Sequence, residues 1–223
     1  LDIYQITPEG HVDTLHLGDK LPHRLRPVNH RFFVVPVSLP ARQTLEFYLR
    51  VETGSSVQVP MTLWEPAAFA VFDTDRTIIQ GAYYGVMFVI VIYNLLMFGV
   101  LRDTTYLYYV GYVICMSLFL ASLTGQSFRY LWPAATEWND QSIVVFLAGV
   151  VVCGGLFIRR MLNLTHISTL WNRTFIYLTR LGLLSAALAF MITYHQAIRL
   201  LVPLASAACW RVLKRGVQYR SHS

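Results

Sequence analysis

Seven histidines and three cysteines are the side chains of this chain that could ligate a metal or act as nucleophiles, and their spacing is wrong for both roles. His11, His16, His23 and His30 fall irregularly in the first part of the chain, with no pair four residues apart on an apolar helix, the arrangement that places two imidazoles on one zinc ion. They read as solvated surface histidines, and His195 as a residue of a short interfacial loop. Cys115, Cys153 and Cys209 each sit inside an apolar run, as small buried hydrophobes do. No phosphate-cradling Walker loop is present. The sequence therefore assigns no catalytic, metal-binding or cofactor-binding residue, and the expectation is a protein that is not an enzyme.

Polar residues in unusual settings are more informative. Asn94 lies deep in an uncharged stretch, where an amide needs a partner, and the expected partner is a neighbouring helix. Gly81 and Gly85, four residues apart, match the small-residue spacing that lets helices approach closely, and the pair Gly154-Gly155 has the same reading. Tyr48, Arg50 and Trp64 are the candidates for a polar and aromatic ligand surface, against the plainer reading of a wet sheet face. Asn163-Leu164-Thr165 and Asn172-Arg173-Thr174 match the glycosylation pattern, but loop charge places both on the inside.

The elements that carry these residues divide the chain in two. Up to about residue 70 the pattern has period two: Leu45, Phe47, Leu49 and Val51 face one way, and Thr44, Glu46, Tyr48, Arg50 and Glu52 the other. Val57, Val59, Met61 and Leu63 resume the alternation as a hairpin partner that is at an edge or carries a bulge, because Pro60 cannot donate to a central ladder. A further strand is expected over 31–39. Such short strands suggest a sandwich or jelly roll. The first residues lack a basic region and a long apolar core, and the chain reads as a fragment that starts within a strand.

From Ile78 to Leu101 there is no charged side chain. As a helix this stretch is about 36 Å long, enough to cross a hydrocarbon core of roughly 30 Å. Further apolar runs cover 106–123, 142–158, 175–194 and 197–213. The expected organisation is a partial β-rich domain over 1–72, a junction at 73–77 with Thr77 capping the first span, five spans within 78–213, and a basic tail over 214–223. Hydrophobic residues make up 55% of the chain and charged ones 13%, which suits a membrane protein. The net charge of +6 lies largely in short loops, so it speaks to topology and not to nucleic acid. Arg102, Arg159, Arg160 and Arg173 put the loops after spans one and three inside. The β module is then outside and the tail inside. Tyr106, Tyr108 and Tyr109 mark the inner interface, and Tyr130, Trp132 and Trp138 the outer one. No span holds an acidic residue, which lowers a transporter reading.

Several blocks resemble a known family, the bacterial seven-transmembrane receptors with diverse intracellular signalling modules. They are Gly81-Ala82-Tyr83-Tyr84-Gly85, Tyr93-Asn94-Leu95, 101–109 with Arg102 and Asp103, and 125–133 with Tyr130, Trp132 and Pro133. Leu49-Arg50-Val51-Glu52 followed by 59–64 resembles the end of that family's exported sensor, a sandwich similar to carbohydrate-binding modules. The resemblance implies an inner-membrane receptor whose periplasmic domain senses a small molecule, carbohydrates among the classes, and passes the signal to a cytoplasmic output domain that this chain lacks. The expected partners are the lipid bilayer, that ligand, the output domain and a second copy in a homodimer. The alternatives are a transporter or channel component, and a structural membrane subunit whose β module binds a partner.

Overall fold

The computed structural model describes residues 1–6, 12–39, 45–52, 59–164 and 169–191. They form two compact units. The first contains 1–61 together with 121–140, and the second contains 62–120 and the chain from 141 onward.

In the first unit β1 (Asp2–Ile6), β2 (Val12–His16) and β3 (Glu46–Arg50) make an antiparallel sheet with β1 in the middle. The register sets Tyr4 opposite both Thr14 and Tyr48. Asp2 pairs with His16, whose Nδ1 lies 2.7 Å from the carboxylate, and this hydrogen bond lowers the Asp2 pKa.

Two expected strands differ. The partner of β3 is β1, and the described part of the expected hairpin strand, 59–63, is not extended into any ladder. Pro60 removes one of its donors. Residues 31–39 likewise form no strand. Pro36 interrupts that run, and its start is drawn into a cluster described below. The described sheet has three strands, so the sandwich or jelly roll reaches only this coarser form.

The second unit is helical. α1 (Pro66–Leu101) is one continuous helix of 36 residues, about 54 Å long. It starts twelve residues before the uncharged run. Pro66 at its first turn is pre-set for helix, and Ala67, Ala68, Phe69 and Ala70 extend it. Thr77 lies well inside it, which corrects its expected capping role, and the junction at 73–77 is helix. Trp64 covers the start, its ring stacked on Phe72 at 4.8 Å.

After α1 come α2 (Thr104–Leu123), the short α3 (Gln126–Tyr130), α4 (Thr136–Met161) and α5 (Thr169–Met191). Three helices among the described residues, α1, α2 and α4, are long and apolar enough to cross a membrane. α5 covers most of the expected fourth span. Its end, the fifth run at 197–213 and the basic tail lie outside the described residues.

Helices α2, α4 and α5 approach through glycines, as expected of Gly154-Gly155. A β-carbon on Gly149 would stand 2.6 Å from the Cys115 sulfur, and one on Gly155 would stand 3.0 Å from the Thr179 hydroxyl. Val110 and Val113 of α2 and Val144 and Ala148 of α4 are buried. Gly81 and Gly85 differ: a β-carbon at either meets nothing within 4 Å among the described residues. They make no close helix contact there.

Candidate functional site

The densest polar structure lies in the first unit, between the connector after β2 and the loop joining α2 to α4. Its construction starts at Pro22, which leads into a single 3₁₀ turn, His23–Leu25. Pro27 stops that turn, because the residue before a proline is pushed toward extended backbone and Arg26 has ψ 138°. The Arg26 side chain is left folded back against the connector, with 7% of its surface exposed. It donates to the carbonyl oxygens of His30 (3.2 Å) and Arg31 (3.0 Å), and reaches Asp19 at 3.3 Å. Its guanidinium lies over the rings of Phe33 at 4.4 Å and Phe128 at 5.6 Å. A planar, weakly hydrated cation is suited to such a setting, where an ammonium would lose more hydration. Burial lowers the Arg26 pKa, with Asp19 opposing the shift.

The facing loop is shaped by Gly125. Its φ of 74° is left-handed, and a β-carbon there would lie 3.3 Å from the Arg31 carbonyl oxygen. Both facts favour glycine. α3 then buries Phe128 and Ser127, and the Ser127 hydroxyl bonds that of Ser122 at 3.1 Å. Leu131 and Trp132 return their N–H groups to the Ser127 carbonyl, and the turn brings the Pro133 carbonyl to the His23 N–H at 2.9 Å. His23 packs edge-on against Phe128, 5.7 Å between ring centres. Lys20 forms an ion pair with Asp140 on the same side.

His23 and His30 are both buried, which corrects their reading as solvated histidines. His16 is exposed as expected, and His11 lies outside the described residues. His23 Nε2 lies 3.2 Å from the His30 carbonyl oxygen, while His30 Nδ1 accepts the Phe32 N–H at 3.0 Å. Burial, and after it the nearby Arg26 charge, lower the His23 pKa. The cluster is thus a packed latch, without an open space for a reacting substrate. Sequence reading missed it because irregular backbone has no period. The available signal was the density of basic and aromatic residues around Pro22 and Pro27.

The residues singled out from sequence take different places. Tyr48 and Arg50 are exposed on β3, where the Tyr48 hydroxyl donates to Glu46 at 3.1 Å and Arg50 pairs with Glu52 at 3.8 Å. Hydrogen bonding to Glu46 raises the Tyr48 pKa. Trp64 belongs to the second unit and is engaged with Phe69 and Phe72. Asn94 is buried, but its amide donates to the Ile90 carbonyl of its own helix at 2.8 Å. Among the described residues this intrahelical bond replaces the expected interhelical one. The i−4 carbonyl is the nearest acceptor for a short side chain on a helix.

Arg102 and Asp103 build the turn between α1 and α2. Arg102 adopts a left-handed φ of 54° and returns its N–H to Phe98, ending α1. Asp103 accepts from the Thr105 N–H (2.9 Å) and hydroxyl (2.8 Å), starting α2, and these bonds lower its pKa. Trp132 meets Trp138 edge-on at 6.1 Å, Tyr130 is exposed beneath Arg129, and Pro133 supplies the carbonyl to His23. Among the described residues no cluster of metal-ligating side chains forms.

Residues 76–218 match the family model described as 7TM diverse intracellular signalling, and residues 1–65 match 7TMR-DISM extracellular 2. These matches define the class, a receptor-type membrane signalling protein with an N-terminal extracellular domain. The chain belongs to the 7TM diverse intracellular signalling family. No curated protein and no solved structure matches it.

Proposed function

We propose that this chain couples small-molecule sensing outside the inner membrane to an output domain in the cytoplasm, and performs no reaction itself. The observation that carries this reading is the latch. Its connector residues, His23, Arg26 and Arg31, belong to the segment matched as extracellular domain, while Gly125, Phe128 and Pro133 belong to the segment matched as 7TM. A displacement of the β module therefore pulls on the loop that joins two apolar helices. Interlocked polar contacts of this kind rearrange between discrete states more readily than they deform continuously.

The loop-charge argument supports an outside β module and an inside C-terminus. It places the Arg102-Asp103 turn and the end of α4, with Arg159 and Arg160, in the cytoplasm. The continuous α1 supports a second route, because no break separates its charged first turns from its apolar part. The exposed Tyr48 ring, between Glu46 and Arg50, offers the stacking face and hydrogen-bonding groups that a carbohydrate uses.

Hydrogen exchange on the full chain in lipid nanodiscs, with a panel of mono- and disaccharides, tests this. An active sugar is expected to change protection in β3 and in both halves of the latch, 22–33 and 121–133. A sugar that protects β3 and leaves 121–133 unchanged would refute the coupling.

A further inference from the structure

A second polar site lies wholly within the helical unit. The Arg102-Asp103 turn and the last turn of α4 bound an open cleft of about 540 Å³, lined by Asp103, Thr105, Tyr108, Arg159, Arg160 and Asn163, with Leu156 as apolar floor. This volume lies within the range of small-molecule sites.

Its two guanidiniums are held in a particular way. Arg159 donates through Nε to the Asn172 side-chain oxygen of α5 at 2.6 Å. Arg160 places its Nε 3.5 Å from Asp103, in a pair whose side chains are 56% and 50% exposed. Among the described residues the side-chain contacts of both arginines run through Nε, which leaves the terminal nitrogens to meet a ligand. A guanidinium matches a tetrahedral oxyanion through two parallel N–H bonds. Two arginines against one carboxylate leave the lining with one net positive charge, the complement of a phosphodiester. The Tyr108 hydroxyl adds a neutral hydrogen-bonding group to the lining.

We infer that this cleft binds a phosphate-bearing anion, and that the headgroup of an anionic lipid is its occupant. The lipid is favoured by position. The cleft opens at the ends of two helices that are long and apolar enough to cross a membrane, so headgroups are concentrated beside it. Asp103 then acts as an internal competitor: it holds Arg160 when the cleft is empty and gives it up to phosphate. This inference rests on the membrane reading above, but not on the latch or on any outside ligand, so the sugar experiment and the following one fail independently.

The experiment titrates the full chain in a neutral detergent with phosphatidylglycerol, read by native mass spectrometry, beside phosphatidylcholine and inorganic phosphate. Arg160→Gln is expected to weaken phosphatidylglycerol binding about tenfold, the size of one charge-assisted hydrogen-bonded contact. Asp103→Asn is expected to strengthen it about threefold, by freeing Arg160 and removing a like charge. The opposed signs matter, because both substitutions break the same ion pair. A pair that only holds the turn together would lower lipid binding in both variants, and that result would overturn the proposal. So would equal affinity for phosphatidylcholine and phosphatidylglycerol in all three proteins. Competition of inorganic phosphate with the lipid would support the phosphate site and assign its occupant to the soluble phase, overturning the lipid assignment. The gain of affinity in Asp103→Asn cannot come from misfolding.

Discussion

The two polar clusters of this molecule are each built around arginine and come out as opposites. In the latch, Arg26 is 7% exposed and spends its donors on backbone carbonyls and its faces on aromatic rings. At the α1–α2 turn, Arg160 is 56% exposed and faces one carboxylate across 3.5 Å. An arginine whose donors end on carbonyls is part of the architecture, since nothing else can reach it. An arginine held by one long ion pair is available for exchange. The difference comes from the surroundings: Pro22, Pro27 and Gly125 wrap irregular chain around Arg26, whereas Arg160 projects from the end of a regular helix.

Substitutions should separate the two clusters by size of effect. Arg26→Ala removes the bonds to the His30 and Arg31 carbonyls, the pair with Asp19 and the contacts with the Phe33 and Phe128 rings, so a loss of about 3 kcal/mol in stability is expected. Thermal or chemical unfolding in detergent, with the first unit followed through Trp132 and Trp138, measures it. Gly125→Ala forces a β-carbon into left-handed backbone and against the Arg31 carbonyl, for a loss of about 1–2 kcal/mol.

Acid should act on the latch in a defined direction. The folded pKa of His23 is below its ordinary value of 6.5, so the unfolded chain binds more protons than the folded one in the interval between them. The stabilisation is complete above pH 6.5 and is lost as pH falls from there toward the folded value. Hydrogen exchange in 121–133 should accelerate over that window, and His23→Gln should flatten the response. Arg26, Arg129 and His30 contribute to the field at this ring, so the response belongs to the cluster. Asn94→Leu is expected to do least. It removes an intrahelical bond and leaves the described interhelical contacts intact, so less than about 1 kcal/mol is expected from the same unfolding experiment.

Regular, apolar segments were the part of this fold most legible in sequence. The uncharged run ending at Leu101 gave α1 its end because Arg102 and Asp103 are cap residues, one left-handed and the other binding the next helix start. Its beginning was missed by twelve residues: Asp73, Asp75 and Arg76 look like a boundary in a hydropathy reading, but helix geometry tolerates charge wherever solvent is present. Alternation located β3, yet alternation says nothing about which strand is the partner, and β1 took the place given to 57–63. The burial of His23 and His30 had no local signal at all. It depends on a loop about a hundred residues away, and only the resemblance of the 125–133 block drew attention to that loop. The Arg102-Asp103 turn was singled out by resemblance, and its capping bonds give the physical reason.

The central claim is that the β module and the loop joining α2 to α4 are energetically one system through the latch. A double-mutant cycle between Arg26→Ala and Phe128→Ala, on unfolding of the full chain in detergent, measures this directly, because one residue comes from each matched segment. The account predicts a coupling of about 1–2 kcal/mol, as for residues in direct contact, and additivity of the two losses within about 0.3 kcal/mol would contradict it.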